Sequence, residues 1–238
     1  MKSLREFCKL SVVIPAFNEE ANIAPTVEEA ILCLRATPHI TTQFILVNDG
    51  SADGTLREME SLARRFPDVA VISHETNRGL GSAIYSGMAA ATGEWLTWLP
   101  ADGQIPPENV QRLLHVVDNE SLSILLRPEQ QRSVGRRLLT MGFNFVVTAT
   151  LSNRYYRYSG VFLVPRARVV SLKLVASTAV QNLAVVEHCA LQGAQVVAVE
   201  GSLRARVCGI SKVANPKTTL QTLLETITLK RKIEPSDG

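Results

Sequence analysis

"LSVVIPAFNEEANIAPTVEEAILCLRATP" (residues 10–38) holds a short β-branched run ending at Pro15, a polar loop, and then Ile23, Val27, Ile31 and Leu34 at helical spacing up to Pro38. A short apolar run bounded by a turn signal reads as a buried strand, and the spacing after it as an amphipathic helix. The unit recurs. "QFILVN" (43–48) precedes Leu56, Met59, Leu62, Ala63 and Phe66, a second helix opened by a capping box from Thr55 to Glu58 and closed by Pro67. Further strand-like runs are "VAVISH" (69–74), "WLTWL" (95–99), "LSILL" (122–126), "GVFLVP" (160–165) and "QVVAVE" (195–200). Strand alternating with helix predicts an α/β fold, a mostly parallel sheet with helices on both faces. Ligands of such sheets bind beyond the carboxyl ends of the strands.

The chain has 238 residues, 46% hydrophobic and 20% charged, enough to bury the core of one domain with a small appendage. A net charge of +3 is too small to argue for nucleic acid. Cys8, Cys33, Cys189 and Cys208 form no CxxC pair, so neither a zinc site nor a disulfide framework is indicated. A reducing, cytoplasmic setting fits them. "MKSLREFCKLSVVIP" carries charges where a signal peptide needs an apolar run. No segment reaches the ~18 consecutive apolar residues of a membrane span. The nearest, "LLTMGFNFVVTATL" (138–151), is interrupted by Gly142 and Asn144.

Three polar clusters follow strands: "PAFNEE" (15–20), "NDGSADGT" (48–55) and "PADGQ" (100–104). Any one of them reads equally well as an ordinary turn and helix cap. Converging on one sheet edge, their carboxylates, amides and glycines suit a ligand with ribose hydroxyls, phosphates and a cation. The third poses a question, because Pro100 stands where a second carboxylate would complete a divalent-metal pair with Asp102. Either Asp102 and Gln104 suffice, or the stretch is the remnant of a metal site. Gly79 and Gly81 suggest a dinucleotide fingerprint, but Ile84 occupies the place of the third glycine. His39, His74, His115 and His188 form no ligand spacing, and Trp95 and Trp98 read as packing residues.

"VVIPAFNEEANI", "ILVNDGSADGT" and "NRGLGSAIYSGMAAATGEWLTWLPADGQ" resemble, in order and spacing, the nucleotide-sugar-binding half of family 2 glycosyltransferases with the Rossmann-like GT-A fold. "RARVCGISK" (204–212) resembles a stretch of the branch that includes dolichyl-phosphate mannosyltransferases and polyprenyl-phosphate glycosyltransferases. The resemblance implies a GT-A domain over residues 1–217, leaving an amphipathic helix and tail at 218–238. It implies a UDP- or GDP-sugar donor bound by Pro15, Asn18, Glu19, Asp49, Arg78 and Gly79, with Asp49 accepting a hydrogen bond from the base or ribose. Asp102 and Gln104 are the implied catalytic and metal residues, through Mg²⁺ or Mn²⁺, and Arg206, Ser211 and Lys212 close over the diphosphate. Inversion at the anomeric carbon is implied with it.

Two departures fall on the metal and acceptor sides. The branch usually carries Asp-x-Asp where Pro100-Ala101-Asp102 stands, and an Asp before Ser159-Gly160 where Arg157 and Tyr158 stand. They keep a second reading open, a non-catalytic nucleotide-sugar-binding protein that acts through a partner. Arg127, Arg132 and Arg136, just past the fifth strand run, are the expected acceptor-binding cluster for a lipid phosphate such as a polyprenyl phosphate, or else a solvated basic face. A glycan or other hydroxyl is the alternative acceptor. Peripheral contact with a membrane face is expected from the stretch after residue 137 or from the terminal helix.

Overall fold

The computed structural model describes residues 8–118, 120–128, 157–205 and 216–233. All seven apolar runs are strands: β1 (Cys8–Ala16), β2 (Ile40–Asp49), β3 (Val69–His74), β4 (Trp95–Trp98), β5 (Ser121–Leu126), β6 (Tyr158–Pro165) and β7 (Gln195–Glu200). They form one sheet in the order β3-β2-β1-β4-β6-β5-β7. β6 runs against both of its neighbours, while the other pairings are parallel. The carboxyl ends of the six remaining strands therefore share one edge, where β6 begins.

Seven helices are described: α1 (Glu20–Arg35), α2 (Thr55–Arg65), α3 (Leu80–Ala90), α4 (Glu108–Val116), the short α5 (Arg166–Val169), α6 (Val180–Leu191) and α7 (Pro216–Ile233). Contacts join α1 to α2 and α4, and separately join α3 to α6 and α6 to α7, giving one layer on each face of the sheet. Burial from both sides explains why β1 and β2 read as continuous apolar runs rather than alternating ones. Val12, Val13, Ile14, Phe44, Ile45, Leu46 and Val47 are all fully buried. The stripe Ile23, Val27, Ile31 and Leu34 of α1 is equally buried.

Pro15 sits in a central strand, where a proline usually costs a ladder bond. Its position removes the cost. The Val13 carbonyl accepts the Leu99 N–H at 2.9 Å, so odd-numbered residues of β1 face β4, and β4 ends at Trp98. The N–H that Pro15 lacks thus has no strand to serve.

One expected device is replaced. α2 starts at Thr55, but no capping box forms there. The Thr55 hydroxyl accepts the Glu19 N–H at 2.8 Å and donates to Asp53, whose Oδ1 also accepts the Thr55 N–H at 3.0 Å. Tertiary demand on Thr55 from the neighbouring loop overrides the local capping pattern.

α7 starts at Pro216 and buries Thr226, Leu229 and Ile233, while Leu220, Leu224 and Ile227 face outward. Among the described residues, no helix is long and apolar enough to cross a membrane. The apolar stretch 138–151 lies outside the described residues.

Candidate functional site

The loops after β1 and β2 are knitted together at the shared edge. Asn18 has φ 53, a left-handed conformation that asparagine tolerates. There its N–H donates to Ser51 Oγ at 3.0 Å, and its Oδ1 accepts the Ala52 N–H at 2.8 Å. The Glu20 carboxylate accepts the Gly54 N–H at 3.0 Å, and the Glu20 N–H donates to Asp53 at 3.3 Å. Glu19 Oε2 accepts from Asn22 Nδ2 at 2.7 Å. Asn48 ties the next strand in: its Oδ1 accepts the Ser51 N–H at 3.1 Å and its Nδ2 donates to Ser73 Oγ at 2.9 Å. Pro15, Asn18 and Glu19 are thus brought beside residues 48–55.

Asp49 is 3% exposed, and its carboxylate is engaged by the chain itself. Oδ1 accepts the Arg78 N–H at 2.9 Å and lies 2.8 Å from His74 Nδ1, while Oδ2 accepts the Gly79 N–H at 2.9 Å. A carboxylate has about four acceptor sites, so most of this one anchors the β3–α3 turn. Beside the base or ribose contact expected of it, Asp49 thus makes a positioning contact to Arg78 and Gly79. His74 completes the anchor, with Nε2 2.9 Å from Ser86 Oγ on α3. Spacing along the chain gives no sign of His74. It and Asp49 are Cα partners at the ends of β3 and β2, so only the strand register reveals the pair.

The side chain of Arg78 is exposed. Gly79, at φ 91, and Gly81 are needed for close backbone approach. A Cβ at Gly79 would lie 2.5 Å from the Ser177 carbonyl oxygen, and one at Gly81 2.4 Å from the carbonyl oxygens of Ala176 and Thr178. The Gly81 N–H donates to Ser177 O at 2.7 Å. The glycines therefore seat the 176–178 loop against the start of α3.

At the exit of β4 the backbone is fixed and the side chains are presented outward. Ala101 is 3% exposed and its carbonyl accepts from Thr26 Oγ1 at 3.1 Å. Asp102, half-buried, accepts the Gln104 N–H on Oδ1 at 3.1 Å, closing a tight turn with Gly103 at φ 69. The Gln104 carbonyl accepts the Arg204 N–H at 2.9 Å, so the chain returning from β7 reaches this turn. Arg204 is held by a fork onto Glu29 at 2.7 and 3.0 Å. Arg206, Ser211 and Lys212, the expected diphosphate clamp, lie outside the described residues.

Asp102 and Gln104 are thus brought together on one turn. Among the described residues, no group of three or more His, Cys, Asp and Glu side chains forms a metal cage. Asp102 takes a single described hydrogen bond on one oxygen, which leaves the other for a cation. One carboxylate with phosphate oxygens and water is a donor set that Mg²⁺ accepts, and Pro100 supplies no second carboxylate to it.

Arg127, of the expected acceptor cluster, is exposed at the carboxyl end of β5. Its N–H donates to the Arg157 carbonyl at 2.8 Å, and Arg157 Nε donates to the Arg127 carbonyl at 2.9 Å. Arg157 also pairs with Glu200 at 3.2 Å, so the residue standing in place of the usual Asp serves the β5–β6–β7 junction. Trp98 packs as expected, buried, with its indole N–H donating to Gly160 O at 2.8 Å. Arg132 and Arg136 lie outside the described residues.

Against known proteins, the family model described as "Glycosyl transferase family 2" matches residues 11–176. The chain is similar to dolichol-phosphate mannosyltransferase of Saccharomyces cerevisiae, 32% identical over 114 residues that cover 48% of this chain and 43% of that protein. It is also similar to undecaprenyl-phosphate 4-deoxy-4-formamido-L-arabinose transferase of Yersinia pestis, 28% identical over 170 residues, 70% of this chain and 51% of that one. The chain thus spans about half the length of these relatives. The crystal structure of glucosyl-3-phosphoglycerate synthase from Mycobacterium tuberculosis with Mg²⁺ and UDP matches 97% of this chain and 82% of its own, with a TM-score of 0.67 at 19% identity. That likeness shows the fold, which is the expected GT-A arrangement. With the matched stretch running from β1 to the loop that meets α3, the chain belongs to glycosyl transferase family 2.

Proposed function

We propose that this chain transfers a sugar from a UDP- or GDP-sugar to a polyprenyl phosphate, with inversion at the anomeric carbon. The observation that carries the reading is the Asp102–Gln104 turn, on the same sheet edge as the interlocked β1, β2 and β3 loops and bonded to Arg204 at the start of the RARVCGISK stretch. Pro15, Asn18 and Glu19 bind the nucleoside, and Asp49 sets the Arg78–Gly79 turn beside it. Asp102, with Gln104, holds Mg²⁺ or Mn²⁺, as Mn²⁺ and Mg²⁺ accompany UDP in the structural neighbours. A cation held there would supply charge stabilisation to the departing nucleoside diphosphate. Arg206, Ser211 and Lys212 add donors to the same group.

Arg127, Arg132 and Arg136 receive the acceptor phosphate. Such an acceptor is already ionised at neutral pH and needs no general base, which is compatible with Arg157 standing where the branch has an Asp. The two curated relatives named above carry dolichol phosphate and undecaprenyl phosphate in their names, and this supports a lipid-phosphate acceptor. The outward stripe Leu220, Leu224 and Ile227 of α7 supports peripheral contact with a cytoplasmic membrane face. Pro100 and the Arg157–Glu200 pair favour the second reading, a nucleotide-sugar-binding protein without transfer activity.

Incubation of the full chain with labelled UDP- and GDP-sugars and a polyprenyl phosphate in detergent decides between them. Labelled lipid formed by the wild type and not by Asp102→Asn supports the transferase. Nucleotide binding with no transfer to any acceptor supports the second reading.

A further inference from the structure

The loop that presses on the glycine turn is held from behind by α7. Glu225 Oε1 accepts the Ser177 N–H at 3.1 Å and hydroxyl at 3.0 Å, and Oε2 accepts the Thr178 N–H at 3.2 Å and its hydroxyl. Gln221 Nε2 donates to Ser177 Oγ at 2.7 Å, and Lys232 Nζ donates to the Val175 carbonyl at 2.8 Å. On its other side the loop offers the Ser177 carbonyl to Gly81, 2.7 Å away, and crowds Gly79. Asp49 holds Arg78 and Gly79 from the opposite direction. An unbroken set of contacts thus runs from Asp49 through the Arg78–Gly81 turn and Ser177–Thr178 to Glu225.

The Ser177 and Thr178 N–H groups and hydroxyls that meet Glu225 are all donors, as is Gln221 Nε2, 3.2 Å from Oε1, and an ionised carboxylate is the side chain that only accepts. Burial works to raise the Glu225 carboxyl, but the bonds from the Thr178 hydroxyl, the two backbone N–H groups and the Ser177 hydroxyl outweigh it and hold it below the ordinary glutamate range. The latch is therefore anionic at neutral pH.

We infer that Glu225 is a positioning residue for the donor site: through Ser177 and Thr178 it fixes the Arg78–Gly81 turn, which makes α7 a working part of the nucleotide pocket. The inference rests on the donor site proposed above. It differs from a packing role for α7, which Leu229 and Ile233 would fill without Glu225.

Glu225→Gln in the full chain keeps length and volume but sets an NH₂ against groups that donate. Amide hydrogen exchange and calorimetric titration with UDP and GDP are measured together. The expected result is exchange at Arg78, Gly79 and Gly81 faster by about tenfold, with β1 and β2 amides unchanged. Nucleotide affinity falls by about tenfold, and a donor KM rises in proportion while kcat stays within about twofold. Glu225→Asp, which keeps the charge, restores part of both. Unchanged protection at Gly81 would overturn the inference, as would uniformly faster exchange through β1 and β2, the mark of a merely structural role. Faster exchange at the turn with unchanged affinity, in a wild type that binds nucleotide, overturns the positioning role. A wild type that binds neither UDP nor GDP defeats the donor-site reading itself, and the exchange data then still decide whether the latch exists.

Discussion

Carboxylates on the same sheet edge do two different kinds of work. After β1 and β2, Asp49, Asp53 and Glu20 each accept backbone N–H groups of neighbouring loops, and Asp53 also accepts one from its own turn. After β4, Asp102 accepts one N–H from its own turn and stays half-buried. The first group is architecture: Asp49 satisfies donors that would otherwise be left buried, and Asp53 and Glu20 tie exposed loop backbone together. Asp102 keeps acceptor capacity, and a ligand or cation can take it. Residue type and position relative to a strand end are alike in both regions; the hydrogen-bond partners separate structure from chemistry.

Asp49 is where substitution is expected to cost most. Asp49→Ala strands two backbone N–H groups and the buried His74, and urea unfolding should show a loss of about 3–5 kcal/mol. A loss under about 1 kcal/mol would mean that Asp49 is not an anchor. Gly81→Ala comes next, because its Cβ would meet the carbonyls of Ala176 and Thr178 at 2.4 Å. Backbone must shift to admit it, at about 1–3 kcal/mol, read from the same unfolding curves. Arg204→Ala removes a fork onto Glu29 from a side chain 40% exposed, and solvent screening limits the loss to about 1 kcal/mol or less. Asp102→Asn belongs last on the stability scale. The amide oxygen can still accept the Gln104 N–H, so the unfolding midpoint should stay within about 0.5 kcal/mol of wild type while sugar transfer disappears.

Where the fold is legible in the sequence, burial on both faces makes it so. Runs such as "SVVI" and "FILV" leave no alternation to misread, and Pro15, Pro38 and Pro67 mark strand and helix ends. The edge shared by the three loop clusters is likewise legible, because the topology of a parallel sheet dictates it. Individual roles are not. Thr55 followed three residues later by Glu58 has the form of a capping box, and only the arrival of Glu19 from another loop redirects its hydroxyl. The pairing of Asp49 with His74 is set by the register of β2 on β3. Gly79 and Gly81 were visible as special positions, but the loop they admit lies far along the chain at 176–178. Long-range pairings of this kind leave no local pattern to read.

On the proposed function, Asp102, without a second acid beside it, still holds a nucleoside diphosphate through a divalent cation. Calorimetric titration of wild type and Asp102→Asn with UDP and GDP, each with Mn²⁺, with Mg²⁺ and with excess chelator, tests it most directly. Wild type is expected to bind one of the two nucleotides only with metal present, and Asp102→Asn to lose the metal dependence while remaining folded. Wild-type binding indifferent to chelator, or metal-dependent binding undiminished in Asp102→Asn, would contradict it.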